Sequence, residues 1–220
     1  MNIYQELLKI FNPKDAITIF DIGSNECEDS IRYSKTFPNA RIFAFEPIKE
    51  NYDKCVKNTA EYRNIKVYNC ALGDSKHIDE MYVSSGCPEG RINDERHNWG
   101  NKSSSLLKPK EHLNIHPWCE FNEKQPVMVD RIDNICNFLH INDIDYCHID
   151  VQGFELKVLN GAGDFINKIK CIYLEVEAIE LYEGQPLKED IEKFMDENGF
   201  VKIGDTVDHI SGDQLYLNTK

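Results

Sequence analysis

The chain has 220 residues, of which 41% are hydrophobic and 29% charged, the composition of a globular α/β domain rather than a disordered chain. Its net charge is −13, and no run of Lys and Arg offers the basic footprint that binding a nucleic-acid backbone requires. Apolar runs stop at four residues, as in Ile42-Phe43-Ala44-Phe45, too short for a membrane-spanning helix.

In chain order, Ile3, Leu7, Ile10 and Phe11 have the spacing of one buried helix face. Ile17–Ile22 is a continuous apolar strand, and Arg41–Phe45 is a second. Ile48, Tyr52, Cys55 and Val56 repeat the helical spacing, and Ile65–Leu72 reads as a third strand. The stretch from Ser84 to Gln125 is polar, rich in Gly and Pro, and without period. It is expected to be an irregular insertion that forms a partly ordered lid over substrate; a plain surface loop is the competing reading. Tyr146–Val151 and Cys171–Val176 are further strands. Leu187, Ile191, Phe194 and Met195 give a last helix, closed by Asn198-Gly199. Phe200–Ile203 and Gln214–Asn218 flank a polar turn region, so they should pair antiparallel. Near-continuous apolar strands alternating with helices predict βαβ units and a mostly parallel sheet covered on both faces. Residues 1–220 are expected to form a single domain. Met1–Glu6 lacks the basic and apolar parts of a secretory leader. The eight cysteines contain no CxxC pair, and several sit in apolar segments. A reduced, cytoplasmic chain follows as an expectation.

Chemistry in open α/β sheets gathers beyond the carboxyl ends of the strands. The first strand runs into Asp21-Ile22-Gly23-Ser24-Asn25, where Gly23 lets backbone approach a ligand. The second ends in Glu46-Pro47, 25 residues after Asp21, near the roughly 20 expected of an acid that takes ribose hydroxyls. A carboxylate there accepts from a vicinal diol and repels a 2′-phosphate. No GxGxxG follows, since the next glycine after Gly23 is Gly73, and no P-loop occurs. The spacing therefore suits a ligand with ribose and adenine but no phosphate, for which S-adenosylmethionine (SAM) is the candidate. The alternative is an ordinary βαβ turn in which Glu46 is accidental.

Phe20–Asn25, Phe45–Pro47, Ala71–Asp74, Ser103–Leu106, Val129–Asp133, Ile149–Glu155, Val158–Ala162, Glu175 and Leu181–Pro186 together resemble the FkbM family of SAM-dependent methyltransferases. The resemblance implies a class I methyltransferase fold, a Rossmann-like, seven-stranded, mostly parallel sheet with an antiparallel last strand and helices on both faces. It also implies SAM as methyl donor and a hydroxyl acceptor on a sugar or natural product. Strand-end position and the family match together place Asp21, Gly23, Ser24 and Asn25 around the methionine end of SAM. Glu46, with Pro47, is placed at the ribose and Ala71-Leu72 at the adenine, while Ser104, Ser105 and Asp150 border cofactor or substrate. Two positions depart from the family pattern. Cys27 stands where Gly is usual and is expected to crowd the turn, and His148 stands where Lys is usual.

Methyl transfer to an alcohol needs alignment and a proton acceptor. His148 and Asp150 share a strand face and form a candidate base with an orienting carboxylate. A satisfied core histidine is the alternative. Glu175 and Glu177 share a face on the neighbouring strand and join the catalytic candidates. With Asp150 they make an oxygen cluster suited to Mg²⁺. Glu155 opens a helix, where its charge is favoured. His112 and His116 have helical spacing, but no further ligand completes a metal pair. The [DN]PP[YFW] motif of amino-methylating enzymes is missing, and Cys87-Pro88 reverses the Pro-Cys of cytosine C5 enzymes. These readings converge on an O-methyltransferase for a small-molecule or glycan hydroxyl, with no nucleic-acid partner. A catalytically inactive nucleoside-binding scaffold, or a protein or lipid acceptor, is the alternative.

Overall fold

The computed structural model describes residues 1–92 and 99–220. In order the chain forms α1 (Ile3–Ile10), β1 (Thr18–Ile22), α2 (Glu28–Thr36), β2 (Arg41–Phe45), α3 (Lys49–Asn58), β3 (Ile65–Tyr68), β4 (Ala71–Leu72) and β5 (His77–Gly86). It continues with α4 (His112–Ile115), β6 (Cys119–Asp130), α5 (Ile132–Leu139), β7 (Ile144–Ile149), α6 (Glu155–Asn160), β8 (Ile169–Glu177), α7 (Lys188–Glu197), β9 (Phe200–Asp205) and β10 (Ser211–Asn218). Short 3₁₀ turns lie at Gly100–Lys102 and Gly163–Lys168.

The main sheet has seven strands in the order β3-β2-β1-β7-β8-β10-β9. The first five run parallel, and β10 is antiparallel to both β8 and β9. The antiparallel terminal pair was expected from the polar turn between Phe200 and Asn218. The strand order switches direction between the neighbouring parallel strands β1 and β7, which opens a crevice at their carboxyl ends.

Both faces of this sheet are covered, as the strand composition demands. On one face Phe20, Ile22, Phe43 and Phe45 pack with Ile132 and Cys136 of α5, Val158 of α6 and Ile191 of α7. On the other, Ile19, Ile42 and Ala44 pack with Leu7 of α1, Tyr33 of α2 and Cys55 of α3. The period of two along β1 and β2 deals alternate side chains to these two cores. Of the expected helix faces, Val56 departs: it is 46% exposed, and α3 is held by Cys55.

Two expectations change. Ile65–Leu72 is not one strand: β3 joins the main sheet, whereas β4 crosses to a second sheet of order β4-β6-β5. The stretch 84–125 is also more regular than its composition suggests. Ser84–Gly86 ends β5 and Cys119–Gln125 begins β6, and the two strands pair antiparallel over most of their length. Of their apolar residues Met81, Cys119, Val127 and Val129 are buried while Ile78 and Met128 are exposed, and polar Ser84 and Asp130 take buried places, so apolar periodicity is weak. Of the expected lid, positions 93–98 lie outside the described residues. No helix among those described is long and apolar enough to cross a membrane.

Candidate active site

A cleft opens over the carboxyl ends of β1, β2, β4 and β7. Measured out to open solvent it encloses about 940 Å³. All ten residues expected at the cofactor line it: Asp21, Gly23, Ser24, Asn25, Glu46, Pro47, Ala71, Leu72, Ser104 and Asp150. His148 lines it as well, and Glu175 and Glu177 lie outside it.

The floor is a close crossing of two turns. Gly23 takes φ +85°, and a Cβ there would meet the Asp150 carbonyl oxygen at 1.8 Å. No other residue fits. The turn is fixed by Gly23 N and Ser24 N, which both donate to Phe45 O at 3.0 Å, and by Asp150 N donating to Ile22 O at 3.0 Å.

Glu46 is buried, and each carboxylate oxygen accepts one backbone N–H. Asn25 N donates to Oε2 at 2.9 Å and Ile48 N to Oε1 at 2.8 Å. An ionised carboxylate has about four acceptor sites, so beyond these two amides and the Asn51 side chain it still has room for a ligand hydroxyl. Burial pushes this carboxyl up to about 8, against the pull of the two amides and the Asn51 side chain. A buried acid aimed at a cleft, beside a turn that admits only glycine, fits an adenosyl ligand with a free ribose diol.

His148 and Asp150 do not form the expected pair. His148 Nδ1 lies 3.2 Å from Asp21 Oδ1 and 3.2 Å from the Tyr33 hydroxyl. Asp21 is itself held by Ser30 Oγ. Asp21 is therefore the carboxylate that orients the ring. Burial pushes the imidazole down, but the Asp21 hydrogen bond and charge, with Asp29 and Asp150, carry it above its ordinary 6.5, to about 9. A ring held as a cation at neutral pH keeps the positive charge that the family's Lys would supply. It also cannot act as a base before it loses that proton.

Asp150 instead takes Gln152. The Gln152 amide nitrogen donates to Asp150 Oδ1 at 2.9 Å and to Glu175 Oε2 at 2.6 Å. The expected Mg²⁺ shell of Asp150, Glu175 and Glu177 is corrected by this arrangement. An amide N–H₂ occupies the place where the first two carboxylates meet, and no group of three ligating side chains converges among the described residues. Glu177 is buried outside the cleft. Burial raises the carboxyls of Asp150 and Glu175, and raises Glu177 to about 9 and Glu155 to about 7. Glu155 Oε1 accepts from Val151 N and Gly153 N at the start of α6, while its Oε2 has no hydrogen-bond partner.

Cys27 is corrected too. It is fully buried in the core beneath α2 and lines no part of the cleft, so it does not crowd the cofactor turn. Its φ is +63°, the left-handed conformation that glycine adopts freely, which explains the family preference at this position. Its thiol donates to Ser24 Oγ at 3.6 Å. Ser104 borders the cleft while its hydroxyl serves β5, accepting from Ser84 N at 2.9 Å. Ser105 is buried and donates to Gln152 O at 2.7 Å. His112 is packed against His116, Phe121 and Tyr182 and joins no group of three potential metal ligands among the described residues.

Sequence reasoning gave Asn51, Asn101 and Gln152 no role. Asn25 Nδ2 donates to Asn101 O at 3.2 Å, and Asn101 Nδ2 donates to Asn51 Oδ1 at 3.0 Å, so the stretch before Ser103 roofs the cofactor turn. Gln152 lay inside the most specific block, Ile149–Glu155, and could have been found there. Asn51 and Asn101 carried no signal.

The profile of the methyltransferase FkbM domain matches residues 21–202. The chain belongs to the FkbM methyltransferase family. It is similar to 2-O-methyltransferase NoeI of Sinorhizobium fredii, 28% identical over 221 residues, which cover 100% of this chain and 86% of that protein. It also resembles part of AMB antimetabolite synthetase AmbE of Pseudomonas aeruginosa, 25% identical over 79% of this chain and 9% of that protein. Among solved structures, the METTL16 methyltransferase domain matches with TM-score 0.54 at 9% identity, covering 100% of this chain and 66% of that one. A chain of the fibrillarin/Nop5p complex matches with TM-score 0.51 at 10% identity, covering 97% and 78%. At such identities the two structures speak for the fold alone. This FkbM protein is thus a SAM-dependent methyltransferase with the class I fold.

Proposed function

We propose that this FkbM methyltransferase transfers the methyl group of SAM to a hydroxyl of a sugar or glycan. The observation that carries the reading is the far wall of the cleft, where the Asp150 carboxylate stands beside the His148 ring at the end of β7. Such a wall hydrogen-bonds a polyol and gives an apolar acceptor little. The full-length similarity to a protein named a 2-O-methyltransferase supports oxygen as the acceptor atom.

Gly23, Ser24 and Asn25 would hold the methionine end, Glu46 the ribose diol, and Ala71-Leu72 the adenine. When bound, SAM supplies a methyl group on a sulfonium, already a good leaving group. The chain's own task is to align the acceptor oxygen and take its proton. Asp150 is the proton acceptor, since it is the carboxylate at the cleft beside His148, and burial raises its carboxyl above the ordinary value. His148, protonated and locked by Asp21, donates to the acceptor and orients it. The second sheet and the main sheet work as one catalytic unit, because Asn101, Ser104 and Leu106 complete the cleft from the β5–β6 side.

The test is transfer of isotopically labelled methyl from SAM to a panel of mono- and oligosaccharides, with the product read by NMR. A new O-methyl ether on a sugar supports the reading. Methylation at nitrogen or on peptide alone, or calorimetry that finds no binding of S-adenosylhomocysteine (SAH), overturns it.

A further inference from the structure

Gln152 has a backbone and a bonding pattern that structural duty alone does not explain. Its φ is +55°, a left-handed geometry that is strained for a non-glycine residue. Such strain gathers where a side chain must be aimed. Every hydrogen-bonding group of its amide is engaged. The two N–H donors go to carboxylates on different strands, Asp150 of the β7 end and Glu175 of β8. The amide oxygen lies 3.1 Å from the hydroxyl of buried Tyr182, which is also 2.8 Å from Ser103 O and shares its single proton between them. The main-chain oxygen takes Ser105 Oγ at 2.7 Å. A Gln is required here: Glu would set a third acceptor against two carboxylates, and an aliphatic side chain would leave them facing each other.

We propose that Gln152 is a positioning residue for methyl transfer. Its amide ties Asp150 Oδ1 to the Glu175–Tyr182 frame and so fixes the orientation of that carboxylate at the cleft. This rests on the reading of Asp150 as proton acceptor. Transfer would form one methyl C–O bond and break the methyl C–S bond of SAM, which leaves as SAH, while the acceptor's hydroxyl proton passes to Asp150. Gln152 touches neither acceptor nor methyl group and acts through the orientation of that carboxylate alone.

The experiment compares wild type, Gln152→Met and Gln152→Glu by SAH calorimetry, by steady-state kinetics on the methylated sugar, and by crystal structures with SAH. SAH affinity should stay within about threefold while kcat falls about 100-fold, with Asp150 turned from its place in both variant crystals. Tyr182→Phe, which leaves the amide donors in place but frees its oxygen, should lower kcat about fivefold at unchanged SAH affinity. It serves if the Gln152 variants do not fold. Parallel loss of SAH affinity and kcat, kcat within threefold of wild type in either set, or an unmoved Asp150 overturns the proposal. Where wild type binds SAH but methylates no sugar, the acceptor reading fails, and the crystal comparison still decides the role of Gln152.

Discussion

His148 and Asp21 face each other across neighbouring parallel strands, in register, with Nδ1 3.2 Å from Oδ1. The contact joins the strand that begins the cofactor turn to the strand that ends at the acceptor wall. Its chemistry is that of a buried ion pair, and ion pairs of this kind are strongly destabilised by removal of one partner.

The pair should appear as a pH dependence of stability. The folded-state pKa of His148 is raised to about 9 from an ordinary 6.5. Its contribution is therefore full below 6.5 and lost as pH rises through about 9. Between pH 6.5 and 9.5, urea unfolding should show wild type losing on the order of 2–3 kcal/mol more than His148→Gln. Parallel stability curves would remove the ion pair from the account.

Glu46 should govern how SAH affinity varies with pH. Its carboxyl sits at about 8, and the diol binds the ionised form, so affinity should rise on the order of tenfold from pH 6.5 to 8.5. Glu46→Gln should bind ten- to a hundredfold more weakly and show a flat profile, as about 1–3 kcal/mol of charge-assisted bonding is lost. Titration calorimetry at four pH values checks both statements.

Gly23→Ala should cost both binding and stability. The added Cβ meets backbone oxygen at 1.8 Å, which nothing flexible can relieve. SAH binding is expected to disappear and Tm to drop by about 5 °C or more. Gly90→Ala is the contrast: also left-handed, at φ +75°, but with nothing within 4 Å of its Cβ, it should leave SAH affinity unchanged.

Cys27→Gly should leave SAH affinity within twofold of wild type, because the side chain lies beneath α2 and away from the cleft. It should also be at least as stable as Cys27→Ala. Both remove the buried thiol, but glycine alone relieves the φ of +63°. Thermal melts of the two variants side by side decide it.

Much of the fold was legible because β1, β2, β7 and β8 are apolar on both faces, a pattern that only a doubly covered sheet produces. The antiparallel β9–β10 pair announced itself through a polar turn. β5 and β6 were hidden, since one face of that small sheet is wet and the buried face is short. α2 was hidden as well: its buried positions include Ser30 and Ser34, which carry no apolar period. That Gly23 and Glu46 line the cleft was readable, because it follows from strand ends and residue type. The partners of His148 and Asp150 were not. Which carboxylate bonds His148, and what lies between Asp150 and Glu175, depends on cross-strand register, and that is a property of the assembled sheet.

The stretch from Lys108 to His112 is laced by backbone bonds to residues 181–183: Lys110 N and His112 N donate to Leu181 O, and Glu183 N donates to Lys108 O. Two segments some seventy positions apart thus share one seam. The two segments should in consequence tolerate exchange only as a pair. A chimera that imports one of them from a relative breaks the lacing, and one that imports both keeps it on an unchanged sheet.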